Sequence, residues 1–348
     1  MSNISKRERF NLVLKGELAD RPPVTAYRHV PGHERLAQDL AKSTLAFQEK
    51  YQWDIVKVHP AATISNEMWG NTYDYENYEN VIFPKLVSRE IKTVDDLALF
   101  TVKSAETGAF GDMVKAMEMI KAGLKEDTPI LQTLFTPINY ICDALGAPTV
   151  RRHFPADRND NIMFQLFQER PELISTALQN ITTTFVDYVH RTMKAGADGF
   201  FHAEIGWARE GYMKKDEWET FVKPYDMQII DAIHNDGGVV MFHTCGMKSN
   251  PEWFTSMPLD ILHWDQGAEG NPPLENSDKW LNGITPMGGV NEMIFGTGQT
   301  ERIRKETVSC LKNNRELPFV LAPYCSITPL TTDEDLVAFR NAFDDIDK

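Results

Sequence analysis

The chain has 348 residues, which at roughly 150 residues per domain means two domains, or one large α/β barrel filling the whole length. With 36 Lys plus Arg against 50 Asp plus Glu, the formal net charge of −14 repels a phosphate backbone and an anionic membrane surface, so neither nucleic acid nor membrane is expected as a partner. Hydrophobic residues at 42% and charged residues at 25% suit a globular protein and exclude a disordered chain, a collagen or a disulfide mini-scaffold.

The first residues carry charges where a signal peptide has its apolar segment, and no run reaches the roughly 18 apolar residues of a membrane span. Four cysteines are too few for a disulfide framework, so the expected compartment is the cytoplasm. Ser5 and Glu8 have the spacing of a capping box, and Phe10, Leu12 and Leu14 follow, which predicts a helix ending near Gly16. After Arg21-Pro22-Pro23 comes Val24-Thr25-Ala26-Tyr27, a strand-like run, then a helix with Leu36, Leu40, Phe47 and Tyr51 on one face.

Similar apolar runs recur at 54–58, 129–134, 199–203, 239–242, 260–264, 284–287 and 319–322, giving eight candidate strands. Between them the spacing is helical: Ile174, Leu178, Ile181, Phe185 and Tyr188 share a face, and Gly196 stops that helix. No Gly-rich fingerprint follows the first run, which argues against a doubly wound sheet and for a (β/α)₈ TIM barrel. Residues 71–125, rich in Tyr, Asn and charge around Tyr73, Tyr75 and Tyr78, depart from the pattern and read as an insertion over the barrel mouth. No repeat, low-complexity tract or domain boundary stands out, so 1–348 is expected to be one domain.

In such a barrel the active site lies at the C-terminal ends of the strands. Those ends read His202-Ala203-Glu204, His243-Thr244-Cys245-Gly246, Asp265 and Pro323-Tyr324-Cys325. His243 and Cys245, two apart past a strand end, can point to one side and reach a common metal. With 9 His and 4 Cys a His-x-Cys pair arises by chance about 0.1 times per chain, a modest signal alone. Cys325, from another strand end in the same cavity, supplies a third donor. Two thiolates and one imidazole favour Zn²⁺ over magnesium or calcium, and three protein ligands leave a position for substrate. A purely structural zinc normally takes four Cys or His ligands. Cys142 and Cys310, in predicted helices, read as buried small hydrophobes.

The segments Arg7-Glu8-Arg9-Phe10, Asp20-Arg21-Pro22-Pro23-Val24, Ala195-Gly196-Ala197-Asp198-Gly199, Phe221-Val222-Lys223-Pro224-Tyr225 and Gly288-Gly289-Val290 resemble the uroporphyrinogen decarboxylase superfamily over nearly the whole chain. The decarboxylases proper carry two Arg four apart after strand one and an Asp just after strand two. Here Arg28 is followed four residues on by Gly32, and 59–73 contains no Asp. His243-Thr244-Cys245-Gly246 and Ala322-Pro323-Tyr324-Cys325 instead resemble the zinc motif of the superfamily's corrinoid-linked methyltransferases, with Cys325 standing where decarboxylases have a His. Cobalamin-independent methionine synthase is similar, with a carboxylate at the end of strand six, here Asp265. That resemblance leaves Asp265 and Glu204 as rival fourth ligands; Glu204 reads equally as a hydrogen-bonded carboxylate that positions substrate.

The resemblance implies a zinc-dependent methyltransferase that moves a methyl group between a corrinoid, or a small methylated amine or ether, and a thiol or cobamide. The methylcobamide would be presented by a separate small corrinoid protein docking on a flat surface near the mouth. A free thiol has a pKa near about 8.5, and metal coordination deprotonates it. Gln132, Asn139 and Tyr140 flank Thr133-Leu134-Phe135-Thr136-Pro137, which resembles the family's substrate-facing loop. Trp207 and Tyr324 are candidate pocket walls, and His202 a candidate to orient Glu204. Arg28, His29 and His33, or Arg151, Arg152 and His153, are candidates for an anionic substrate group. Two other readings remain open: a metal-independent decarboxylase of a porphyrinogen or smaller acid, and a non-catalytic partner that docks a corrinoid protein.

Overall fold

A computed structural model of the chain describes residues 4–146 and 158–345; Arg151, Arg152 and His153 lie outside them. Nine strands are present among these residues: β1 Val56–Val58, β2 Thr72–Glu79, β3 Phe83–Ser88, β4 Ile130–Phe135, β5 Gly199–Glu204, β6 Val239–Thr244, β7 Ile261–Trp264, β8 Thr285–Val290 and β9 Val320–Pro323. Seven form one parallel sheet in the order β1-β4-β5-β6-β7-β8-β9, curled as a TIM-like barrel with helices outside. Each matches one predicted run.

The eighth run, Val24 to Tyr27, is not a strand. It lies between β9 and β1 and is held by a few bonds: Thr25 N–H donates to Leu321 O (3.0 Å), Leu321 N–H to Pro23 O (2.9 Å) and Asp54 N–H to Val24 O (2.9 Å). The cause is local. Pro22 and Pro23 have no N–H to give, and the Val24 N–H goes to the Asp54 carboxylate at 2.8 Å, so a ladder cannot propagate.

Side chains alternate across the sheet. Leu131, Phe201, Met241, Ile261, Met287 and Val320 point inward and pack with Phe10 and Val13, while Ile130, Phe200, Val240, Leu262 and Leu321 pack on the outer helices. Phe10 and Val13 come from the first helix, Lys6–Leu14, whose Ser5 cap accepts from the Glu8 N–H at 3.1 Å. The expected stripe of Phe10, Leu12 and Leu14 is thus replaced by an i, i+3 pair that plugs one end of the barrel.

The insertion is shorter than 71–125. A β2–β3 hairpin, a 3₁₀ turn at Asp95–Leu99 and their connections belong to it, but Gly108–Gly123 is a barrel helix that packs on Ala37–Tyr51 and Pro171–Lys194. Its buried Phe110, Met113, Met117 and Ile120 form the helical stripe that the charged neighbours mask in the sequence. The hairpin touches the loop after the first run, where Gly32 N–H donates to Tyr78 Oη at 2.8 Å. No helix among the described residues is long and apolar enough to cross a membrane.

Candidate metal centre

On β6, Met241 and His243 face inward and Thr244 outward, so the chain turning after Thr244 returns Cys245 to the side of His243. The end of β9 delivers Cys325 to the same point. The ligand atoms of His243, Cys245 and Cys325 all lie within 4.8 Å of one another. Cys245 Sγ is 3.8 Å from Cys325 Sγ, and Cys325 Sγ is 3.7 Å from His243 Nε2. A tetrahedral zinc with Zn–S near 2.3 Å and Zn–N near 2.1 Å requires edges of about 3.8 Å and about 3.6 Å. Two of the three edges therefore match a tetrahedral zinc, the third lies within 4.8 Å, and the donor set has the chemistry for that metal. His243 Nδ1 is buried with no hydrogen-bond partner. His243 and Cys245 are buried and Cys325 is partly exposed, which leaves the open side of the triad by Cys325.

Of the two candidate carboxylates, Glu204 stands apart from this triad. Glu204 pairs in register with Thr244, so it shares the outward parity of Thr244. One of its oxygens accepts from the Trp207 and Ala208 N–H groups and the other from Thr244 Oγ at 3.0 Å. Burial pushes its carboxyl up to about 7, against these hydrogen bonds. The fourth-ligand expectation for Glu204 is thereby corrected: it holds the loop beside the metal ligands. Asp265 is buried at the end of β7, and Asn271 Nδ2 donates both to its carbonyl (2.7 Å) and to Gly246 O (2.8 Å). Asn271 thus ties the β7 end to the loop that carries Cys245, a role with no sequence signal.

Several predicted contacts fall outside the cavity. Gln132 lies between inward Leu131 and Thr133, so alternation turns it to the helices. Tyr140 packs on Trp69 and Phe185 and donates to Ser65 Oγ at 2.9 Å. Arg28 leaves the mouth, lying over the Phe47 ring and donating to Thr331 O at 2.8 Å. Trp207 packs against Tyr212. Tyr324 lines an outer pocket with Gln266, Glu275 and Asn314. His202 contacts Asp226 at 3.0 Å and not Glu204. His33 is exposed. Asn139, at the start of the helix after β4, is buried with Oδ1 unpartnered and remains a candidate substrate contact.

Beside the triad lies a polar cluster of which the sequence pointed only to His29, and there as a substrate contact; His29 is paired with His59 and Glu34 instead. Lys57 of β1 points inward, its Nζ 4.1 Å from the Tyr27 ring centroid and 4.2 Å from that of Phe201. Phe201 stacks on His243 at 5.5 Å, and His263 lies 4.6 Å from His243. Lys57 Nζ is 2.6 Å from His59 Nδ1, His59 Nε2 is 2.9 Å from His29 Nε2, and His29 Nδ1 is 2.9 Å from Glu34 Oε2. Burial holds the Lys57 ammonium and the His59 and His263 imidazoliums well below their usual ranges. A lysine inside the apolar run Val56-Lys57-Val58 was the available signal: Ile55, Lys57 and His59 share one face of a strand.

The family profile described as uroporphyrinogen decarboxylase (URO-D) matches residues 5–346. A uroporphyrinogen decarboxylase of Synechococcus sp. (strain CC9902) is 21% identical over 346 residues, 93% of this chain and 92% of its own. A methylcobamide:CoM methyltransferase of Methanosarcina mazei is 20% identical over 264 residues, 72% of this chain and 73% of its own. Among solved structures, a methyltransferase from Methanosarcina mazei superposes with a TM-score of 0.78 at 20% identity over 99% of both chains. A B12-independent methionine synthase from Shewanella sp. W3-18-1, in complex with selenomethionine, gives 0.56 at 14% identity over 93% of this chain and 98% of its own.

Proposed function

Since the chain belongs to the uroporphyrinogen decarboxylase family, we propose that it is a zinc-dependent methyltransferase, one catalytic domain that moves a methyl group between a corrinoid and a thiol. The observation that carries this reading is the His243, Cys245 and Cys325 donor set, gathered within 4.8 Å at the C-terminal ends of β6 and β9. A methylcobamide:CoM methyltransferase is among the relatives, alongside uroporphyrinogen decarboxylases of similar identity, so the choice between the two rests on the donor set. Zinc bound there would act as a Lewis acid that lowers the pKa of an incoming thiol and makes its sulfur nucleophilic at neutral pH.

The chain's own residues have distinct roles in this proposal. His243 and Cys245 form the buried wall of the site, and Cys325 lies on the side open to substrate. Glu204 fixes the loop through the Trp207 and Ala208 amides and orients Thr244 between the two ligands. Asp265 and Asn139 are the polar groups proposed to meet substrate. The methyl donor is a methylcobamide on a separate corrinoid protein, reaching the sulfur through the mouth.

The test is elemental analysis of protein purified without a metal-chelating tag, for wild type and the Cys245→Ser and Cys325→Ser variants. About one zinc per chain in wild type, lost in both variants, is expected for a three-ligand site. Wild type that neither carries nor takes up zinc overturns the reading and leaves a metal-independent decarboxylase in its place.

A further inference from the structure

The buried chain Lys57, His59, His29 and Glu34 is a row of hydrogen bonds leading from the barrel interior to the loop after the first run. The tautomers follow from its outer end. Glu34 Oε2 accepts from the Val30 N–H at 3.1 Å and so serves as an acceptor toward His29 Nδ1, which donates to it at 2.9 Å. His29 Nε2 then bears no proton and accepts from His59 Nε2–H at 2.9 Å. His59 Nδ1 in turn accepts from Lys57 Nζ at 2.6 Å. Every donor points outward, the arrangement needed to pass a proton along the row.

The inner end lies beside the site. Lys57 sits between the Tyr27 and Phe201 rings, Phe201 stacks on His243, and the Lys57 ammonium feels the charge of Cys325. At the outer end Glu34 is buried, but its neighbours Gly32 and His33 are exposed.

We propose that these four residues form a proton wire that carries the proton of the thiol substrate from the metal centre to the 30–35 loop, an inference that rests on the methyltransferase reading. As the thiol S–H bond breaks, Lys57 Nζ takes the proton and becomes an ammonium. Lys57 gives a proton to His59 Nδ1, and His59 releases its Nε2 proton to His29 Nε2. His29 releases its Nδ1 proton to the Glu34 carboxylate. The net change is thiol plus carboxylate to thiolate plus carboxylic acid, with no electron transferred. Glu34 then yields the proton to water, and tautomerisation of the two imidazoles, each regaining its outer N–H by proton exchange with water, restores the starting state. Lys57 is the catalytic base in this scheme, and His59, His29 and Glu34 are relay groups.

The experiment uses cobalt-substituted full-length protein mixed with 2-mercaptoethanol, with two readouts. The cobalt ligand-field spectrum reports thiol capture, and a pH indicator in stopped flow reports proton appearance in solvent. His59→Gln retains one acceptor and one donor but cannot relay a proton. It is expected to leave the spectral end point unchanged and slow proton release about a hundredfold, the scale of a lost positioned acid or base. Glu34→Gln, at the outer end and away from the metal ligands, is expected to do the same, guarding against a His59 variant that fails to fold. If both variants release the proton within about twofold of wild type, the wire is wrong and the methyltransferase reading stands. If wild type itself shows no thiol-dependent spectral change, both fall.

Discussion

Glu204 gives the sharpest test of how the site is held. The carboxyl is fully buried and its pKa rises from the usual 4.5 to about 7, desolvation outweighing the hydrogen bonds from Trp207, Ala208 and Thr244. For a carboxyl whose folded pKa is raised, the fold prefers the protonated form. Below pH about 4.5 it is protonated in both states and imposes no penalty. Between about 4.5 and about 7 the unfolded chain ionises first, so stability falls as pH rises, and above about 7 the whole cost is expressed. At about 1.4 kcal/mol per tenfold, that cost is about 3 kcal/mol. Glu204→Gln removes it at little expense, because the amide oxygen can accept from the two N–H groups. The new amide N–H can donate to Thr244 Oγ, which is free to donate to Ser249 O at 3.1 Å instead. Urea unfolding of metal-stripped wild type and variant at pH 5 and pH 8 measures the difference. Wild type is expected to lose on the order of 2–3 kcal/mol more than Glu204→Gln between the two. Parallel pH profiles would refute the argument that Glu204 is held by desolvation in a neutral form.

Two further outcomes follow from residues away from the metal. Asp54 is fully buried and binds Arg9 (2.9 Å), Arg21 (2.6 Å) and the Val24 N–H (2.8 Å), so Asp54→Asn breaks two ion pairs at once where the first run closes the sheet and leaves the buried Arg9 guanidinium to Asp20 (2.7 Å). A loss of about 3–5 kcal/mol in urea unfolding is expected, and a loss below about 1 kcal/mol would contradict it. Arg28→Ala removes the contacts with Phe47 and the Thr331 carbonyl; it should cost about 1 kcal/mol and leave zinc content at the wild-type level. Zinc loss in that variant would return Arg28 to the site.

The sheet was legible because seven strands are buried on both faces and read as short apolar runs between helical stripes. The triad was legible because two of its donors sit two residues apart at a strand end, an even spacing that favours a common side, and the third follows another strand end. Parity also explains the failures. Gln132 and Glu204 lie beside the correct positions but one residue out of phase, which turns them to the helices and the loops. Tyr140 and Trp207 follow strand ends as site residues should, yet their rings pack on Trp69 and Phe185 and on Tyr212, and no spacing rule predicts that choice. The Lys57, His59, His29 and Glu34 row joins the loop after the first run to the neighbouring strand β1, so its members meet only once those two segments lie side by side.

The barrel itself does not choose between methyl transfer and decarboxylation, since the family frame hosts both kinds of relative. The choice rests on what the inward positions offer. Cys245 and Cys325 hold two sulfurs 3.8 Å apart, well beyond the roughly 2.05 Å of a disulfide but within a small rearrangement of it. Two thiols so placed are an oxidation hazard to a metal-free enzyme. With a cation between them they become a pair of ligands whose separation is the edge of its coordination tetrahedron. The nearby imidazole of His243 completes a donor set with no role in orienting a carboxylate. Arg28, one of the basic groups that the sequence offered for an acidic substrate, is committed to Phe47 and the Thr331 carbonyl. The balance of these inward and outward placements favours sulfur chemistry at a metal, and it does so from parity and distance without appeal to overall likeness.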